Sequence, residues 1–215
     1  MYHGDTVPGF PQHPHRGFET VTYMIEGEVH HEDFAGHSGV IGPGDIQWMT
    51  AGKGIVHAEM PGSFTQNSLG FQLWINLEAR NKFCQPGYQE FKAENIPVHE
   101  DPDGWKAKVV AGSVFGVEGP VVARTPAYFI DFQFTDAQKT YRHAIPAGWN
   151  SLVVVYSGGL EVQNTTAKNA PHAISFTASA AEEDIVVKTT APNTRFVLLA
   201  GKPLNEPIAN YGPFV

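Results

Sequence analysis

Several things are scarce in this chain, and each scarcity narrows what the protein can be. Cys84 is the single cysteine, so no disulfide forms within the chain, which suits a reducing compartment. Positive charge is short: 14 lysines and arginines stand against 22 aspartates and glutamates, a formal net charge of −8. A chain this acidic has no general attraction to a phosphate backbone, so direct nucleic-acid binding is not expected. No apolar run approaches the ~18 residues of a spanning helix, and the N-terminus lacks the apolar stretch of a secretory leader. The expectation is an intracellular protein with no membrane association. Charged residues make up only 17% of the 215 residues against 42% hydrophobic ones, the balance of a globular, β-rich chain holding one large domain or two small ones.

Short strand-like segments alternate with turns. Met1–Gln12 reads as an irregular entry, and the β-branched and aromatic Phe18–Ile25 as a strand. Glu26-Gly27 turns the chain into Glu28–Asp33, followed by a polar loop at Ala35–Gly39. The Pro43-Gly44-Asp45 turn launches the apolar strand Ile46–Met49, and Thr50–Gly54 turns again. Gly70–Leu77 is expected to be a buried strand, Glu78–Glu94 gives no firm assignment, and Asn95–Gly104, rich in proline and acid, reads as a linker. Lys106–Ala111, Tyr128–Phe134, Leu152–Tyr156, Ile185–Val187 and Arg195–Ala200 resume the strand pattern. Strands every 8–12 residues or so, with turns between, indicate a barrel or sandwich. The second half repeats the architecture of the first without its chemistry.

That chemistry lies in two stretches, His13-Pro14-His15-Arg16-Gly17-Phe18-Glu19 and Gly54-Ile55-Val56-His57-Ala58-Glu59. Alternate side chains of an extended segment share a face, so His13 pairs with His15, and His57 with Glu59. On neighbouring strands the two pairs bring three imidazoles and one carboxylate to a point, the geometry of a mononuclear metal site inside a β-barrel. The second pair begins 57 − 15 = 42 positions later, room for several intervening strands. A hydrogen-bonded structural histidine near a barrel mouth accounts for either pair alone; the combination is more specific. Glu19 extends the first pair to H-x-H-x3-E and competes with Glu59 for the carboxylate position. His30 and His31 are adjacent and face opposite sides of a strand, His37 in its glycine-flanked loop is expected to be solvated, and His3 is near the terminus. The C-terminal half holds His99, His143 and His172 with no H-x-H or H-x-E pair, and His143 reads as a lone surface or loop histidine.

H-x-H-x3-E, the Pro-Gly-Asp turn and the later strand histidine resemble the two motifs of the cupin superfamily. More narrowly, HPHRGFETVTYMIEGEVHHEDFAGHSGVIGPGDIQWMTAGKGIVHAEMPG, GFQLWINL, ARTPAYFIDF and LLAGKPLNEPIANYGPFV resemble the pirin family. The resemblance implies an all-β bicupin, two stacked β-barrels of the double-stranded β-helix (jelly-roll) kind. Residues 1–96 would be the metal-binding cupin barrel and residues 97–215 a cupin-like barrel without metal. The implied metal ligands are His13, His15, His57 and Glu59, with Glu19 outside the set. Pirins carry further strand sequence ahead of the His-Pro-His motif and run on into a C-terminal helix, so the chain is expected to be incomplete at both ends. Residues 160–184 match the family poorly.

Three neutral imidazoles and a carboxylate leave a divalent ion with a net charge of about +1, and an octahedral ion keeps two positions for substrate or dioxygen. Zinc would be closed by the same four ligands, and copper has the higher intrinsic affinity for nitrogen. The resemblance implies one Fe(II)/Fe(III) per chain, with Cu, Zn and Mn as alternatives. It further implies a quercetin (flavonol) 2,3-dioxygenase acting on a flavonol-like small molecule and dioxygen, with Glu59 as the catalytic residue that takes up the flavonol proton. From a different class, it implies an iron- and redox-dependent transcriptional co-regulator. That role would be played through transcription-related protein partners in the nucleus or cytoplasm, with Arg16 either part of the contact surface or in a structural ion pair. A metal-free sugar- or metabolite-binding cupin is a third reading. A monomer is expected, with one metal in the first barrel and none elsewhere.

Overall fold

A computed structural model describes residues 9–163, 165 and 168–208; of the expected irregular entry Met1–Gln12, residues 1–8 lie outside them, and Phe10–Gln12 are not irregular but belong to a strand that begins at Phe10. The chain divides into two compact units, Met1–Asn95 with Leu204–Val215, and Ile96–Pro203. Residues 204–208 thus group with the first half. Apart from two three-residue 3-10 turns, Ala79–Asn81 and Ala93–Asn95, the regular elements described are all strands.

The first unit contains β1 (Phe10–His15), β2 (Phe18–Glu26), β3 (Val29–Asp33), β4 (Ser38–Ile41), β5 (Ile46–Thr50), β6 (Ile55–Pro61), β7 (Leu69–Asn76) and β8 (Gly87–Phe91). They form two four-stranded antiparallel sheets, ordered β1-β6-β3-β4 and β7-β2-β5-β8. Strand β2 has neighbours on both sides, and Glu19 to Met24 are all buried, which is why its sequence is nearly continuous in β-branched and aromatic residues. Gly27, at φ 70°, closes the turn into β3, and a Cβ there would lie 2.6 Å from Ser68 Oγ, so only glycine fits.

The second unit contains β9 (Val98–Asp101), β10 (Trp105–Ala111), β11 (Ser113–Val114), β12 (Val117–Glu118), β13 (Ala127–Phe134) and β14 (Thr140–Ile145). It continues with β15 (Asn150–Ser157), β16 (Gly159–Val162), β17 (Lys168–Asn169), β18 (His172–Phe176), β19 (Glu183–Thr189) and β20 (Thr194–Gly201). A six-stranded sheet, β18-β15-β20-β13-β10-β9, accompanies a four-stranded one, β14-β19-β16-β17, and a small hairpin, β11-β12. Its core is aromatic and aliphatic: Phe132 stacks on Phe196 at 4.9 Å between ring centroids and Trp105 on Phe134 at 5.6 Å, among Val153, Val155, Leu160 and Leu198. Each such fully buried side chain contributes roughly 1.5–3 kcal/mol.

Two local expectations are corrected and one unassigned stretch is resolved. Asn95–Gly104 is not a linker: Val98–Asp101 pairs with β10 as an edge strand. Its acids and glycine make the hairpin turn, with Asp103 N–H donating to Asp101 Oδ1 (2.8 Å), Gly104 N–H to Asp101 O (3.1 Å), and Gly104 at φ 81°. Gly70–Leu77 is a strand but not a buried one, because β7 lies at a sheet edge and one face is open, leaving Trp74 61% exposed. Glu78–Glu94, without assignment from sequence, supplies β8, which pairs with β5.

Candidate metal centre

Strands β1 and β6 pair antiparallel, with His13 directly opposite His57. His15, two positions along β1, shares the face of His13. The three rings form one cluster, with centroids 4.7 Å (His13–His15), 4.5 Å (His13–His57) and 5.0 Å (His15–His57) apart. One ring nitrogen from each lies within 4.8 Å of the others.

The polar atoms of this cluster suit a metal. Among the described residues, His15 Nε2 and both ring nitrogens of His57 are buried without a hydrogen-bond partner. A buried, unsatisfied acceptor costs about 1–3 kcal/mol, and coordination removes that cost. His13 Nδ1 lies 2.8 Å from Pro11 O; donating there puts the ring's lone pair on Nε2. Burial, reinforced by the neighbouring imidazoles, pushes His15 and His57 down to about 4. Both are therefore neutral at pH 7, the form that binds a metal.

Glu59 is buried on β6, on the face of His57, but its oxygens are not among the atoms within 4.8 Å of one another. Both are held: Oε1 accepts from Thr22 Oγ1 (3.1 Å) and Oε2 from Gln72 Nε2 (2.8 Å). Glu19 is fully buried, and its Oε1 accepts from Thr50 Oγ1 at 2.6 Å. Glu19 and Thr22 are separated by an odd number of positions along β2, so Glu19 leaves the face opposite the one that reaches Glu59.

Register explains the surroundings. Gln72, Thr22, Gln47 and Glu90 stand in one row across β7, β2, β5 and β8. In the other sheet Glu59 stands opposite His31, and His57 opposite Asp33, across β6 and β3. The first row supplies the partners of the second: Gln72 and Thr22 hold Glu59, while Glu90 Oε1 lies 3.1 Å from His31 Nε2. Sequence reading missed this layer, since parity within a segment says nothing of register between distant strands.

Two histidines depart from expectation. His37 is half-buried rather than solvated: it stacks on Tyr88 at 4.1 Å, and its Nε2 lies 3.1 Å from Glu90 Oε1. An aspartate-capped turn, in which Asp33 Oδ1 accepts the N–H groups of Ala35 and His37, draws it inward. His143 is no surface residue; it is 8% exposed on β14, with Nδ1 2.8 Å from Tyr141 Oη, and burial pushes it down to about 4. The alternation of Tyr141, His143 and Ile145 was the available signal.

Residues 1–75 match the Pirin family model, and residues 129–215 match the model of the Pirin C-terminal cupin domain. The chain is 44% identical over 219 residues to Pirin of Homo sapiens, spanning 100% of this chain and 73% of that protein. It is 42% identical over 212 residues to Pirin-like protein 2 of Arabidopsis thaliana, spanning 96% of this chain but only 65% of the plant protein. The solved structure of quercetin 2,3-dioxygenase from Acinetobacter baumannii matches with TM-score 0.84 and 35% identity, over 98% of this chain and 74% of that one. The fold is accordingly an all-β bicupin. These matches, over both halves, establish that the chain belongs to the pirin family.

Proposed function

We propose that this protein is a mononuclear iron cupin acting as a quercetin-type flavonol 2,3-dioxygenase. His13, His15, His57 and Glu59 of the first unit would hold one iron, while the second unit serves as a structural and partner-binding module without a metal of its own. The observation that carries this reading is the convergence of three imidazoles, two of which, His15 and His57, have buried ring nitrogens without a hydrogen-bond partner. The likeness to a quercetin 2,3-dioxygenase supports the substrate class. Iron held by these three imidazoles and the carboxylate would supply Lewis-acid and redox chemistry.

The chain's own residues do the rest. Thr22 and Gln72 hold the Glu59 carboxylate in place, and that carboxylate is the base we assign to the flavonol hydroxyl proton. Trp74 lies 5.6 Å from His15 and 4.9 Å from Phe18, between ring centroids, and its exposure offers a planar aromatic substrate a face beside the cluster.

A second reading, an iron-dependent transcriptional co-regulator in nucleus or cytoplasm, is favoured by Arg16. This exposed residue next to His15 sets its guanidinium 4.8 Å over the Phe83 ring, and Phe83 is itself 65% exposed. Such an aromatic–arginine pair at the metal centre suits a protein partner. The deciding experiment measures flavonol consumption and oxygen uptake by the iron-loaded protein. Stoichiometric turnover supports the enzyme; inertness together with iron-dependent capture of transcription proteins supports the co-regulator and defeats the enzyme.

A further inference from the structure

A second group of metal-competent side chains lies in the first unit. His31 on β3, His37 just ahead of β4 and Glu90 on β8 each offer a ligand atom within 4.8 Å of the other two. Glu90 Oε1 is 3.1 Å from Nε2 of both histidines. Donors at ~2.1 Å from a common ion are about 3.0 Å apart when cis in an octahedron and about 3.4 Å apart in a tetrahedron, so these separations need little adjustment.

The hydrogen bonding is oversubscribed without an ion. Glu90 Oε1 also accepts from Gln47 Nε2 at 2.6 Å. Three donors thus converge on one carboxylate oxygen that has room for about two. A cation replaces the two imidazole protons and lets both nitrogens present lone pairs instead. The supporting residues hold the group in shape: Tyr88 stacks on His37 and donates to Asp33 Oδ2 at 2.9 Å, while Asp33 Oδ1 fixes the His37 backbone. Gly39 leaves the remaining space, for a Cβ there would lie 2.6 Å from His31 Nε2. The His31 side chain is only 2% exposed, whereas those of His37 and Glu90 are each 36% exposed, which gives an ion a route from solvent.

We propose that His31, His37 and Glu90 form a second binding site for a first-row divalent cation of the zinc class, weaker than the His13–His15–His57 centre. Two imidazoles and a carboxylate, with water completing the shell, are a sufficient ligand set for such an ion. Glu90 is already oriented for the role by the hydrogen bond that its Oε1 accepts from Gln47 Nε2. This departs from the single metal expected from sequence, and it rests on residues separate from those of the proposed oxygenase centre.

The test is equilibrium dialysis of the metal-stripped full chain against zinc alone, with zinc per chain measured by elemental analysis. Two zinc ions per chain are expected, falling to one in Glu90→Gln, in His37→Ala and in Gly39→Ala, which blocks the space while keeping every ligand. A fourth protein, His13→Ala with His57→Ala, should keep one ion, and circular dichroism checks that all variants stay folded. A single zinc per chain in the unaltered protein at a hundredfold excess overturns the proposal. So does a second zinc that survives with unchanged affinity in both Glu90→Gln and Gly39→Ala, since it would then sit elsewhere.

Discussion

Strand β6 of the first unit and strand β19 of the second hold the same place in four-stranded sheets of matching order, β1-β6-β3-β4 and β14-β19-β16-β17. Where β1 sets His13 opposite His57, β14 sets His143 opposite Ile185. The buried positions of β6 include His57 and Glu59; those of β19 are Ile185, Val187 and Thr189. One barrel wall therefore carries a candidate ligand on each of two facing strands, and the other a lone imidazole opposite Ile185, tied to Tyr141. A buried histidine is not a metal site. It becomes one when the strand across from it also supplies donors and the opposite sheet holds them still.

The largest effect should come from removing the facing donor. His57→Ala is expected to abolish ion binding at the first centre, a loss of more than the roughly 10–100-fold typical of supporting residues. His143→Ala with His172→Ala should leave that binding unchanged. Metal titrations in a Glu90→Gln background count this centre alone. Loss of the ion in the His143/His172 variant would break the comparison, for the second unit would then be contributing to ligation.

Next in size is the choice between two buried carboxylates. Glu59→Gln should lower metal affinity beyond the range of a supporting residue, because it removes the one anionic side chain among the four proposed ligands. Glu19→Gln should change it less than tenfold or so, since its partner Thr50 and its face of β2 lie away from Glu59. The reverse order of affinities in a competition assay with a chelator would reassign the ligand.

Much of this was legible from residue order alone. His-x-His and His-x-Glu carry strand parity, and β2 and β5 are written in β-branched, aromatic and apolar residues. The layer Gln72–Thr22–Gln47–Glu90 was not, because four residues on four strands become neighbours only through register, which no local pattern encodes. His37 looked solvated because its glycine neighbours suggest a loose loop; the turn built on Asp33 and the ring of Tyr88, from the stretch without assignment, decide otherwise. Asn95–Gly104 misled for a related reason: a hairpin turn and a linker share a composition, and only pairing with β10 separates them.

A third prediction uses pH to separate the two kinds of buried histidine. His143 sits at about 4 in the folded protein because of burial, against 6.5 for the exposed group. The unfolded chain therefore takes up this proton first as pH falls. The stability linked to neutral His143 is complete above pH 6.5, declines between 6.5 and about 4, and levels off below. Relative to His143→Gln, the unaltered apo-protein should lose about 3 kcal/mol over that window. His15 and His57 titrate in both proteins and cancel in the difference. Parallel stability–pH curves from urea unfolding would show that His143 is not held neutral by the second unit's core.

The smallest effect expected is the most specific to the cross-sheet layer. Gln72→Ala removes the donor to Glu59 Oε2 and touches no imidazole, so the first centre should keep its ion with affinity lowered roughly tenfold. Thr50→Val removes the donor to Glu19 Oε1 and serves as the control. It costs a buried hydrogen bond, about 1 kcal/mol of stability, yet should leave metal affinity alone because Glu19 faces away from the cluster. The informative quantity is the ratio of the two variants' affinities in the Glu90→Gln background, where the second group cannot buffer the result. A ratio near ten ties Glu59 to the metal through its orientation. A ratio near one, with both variants folded, means that the layer stabilises the barrel without tuning the centre, and the contrast between the two units then reduces to the three histidines.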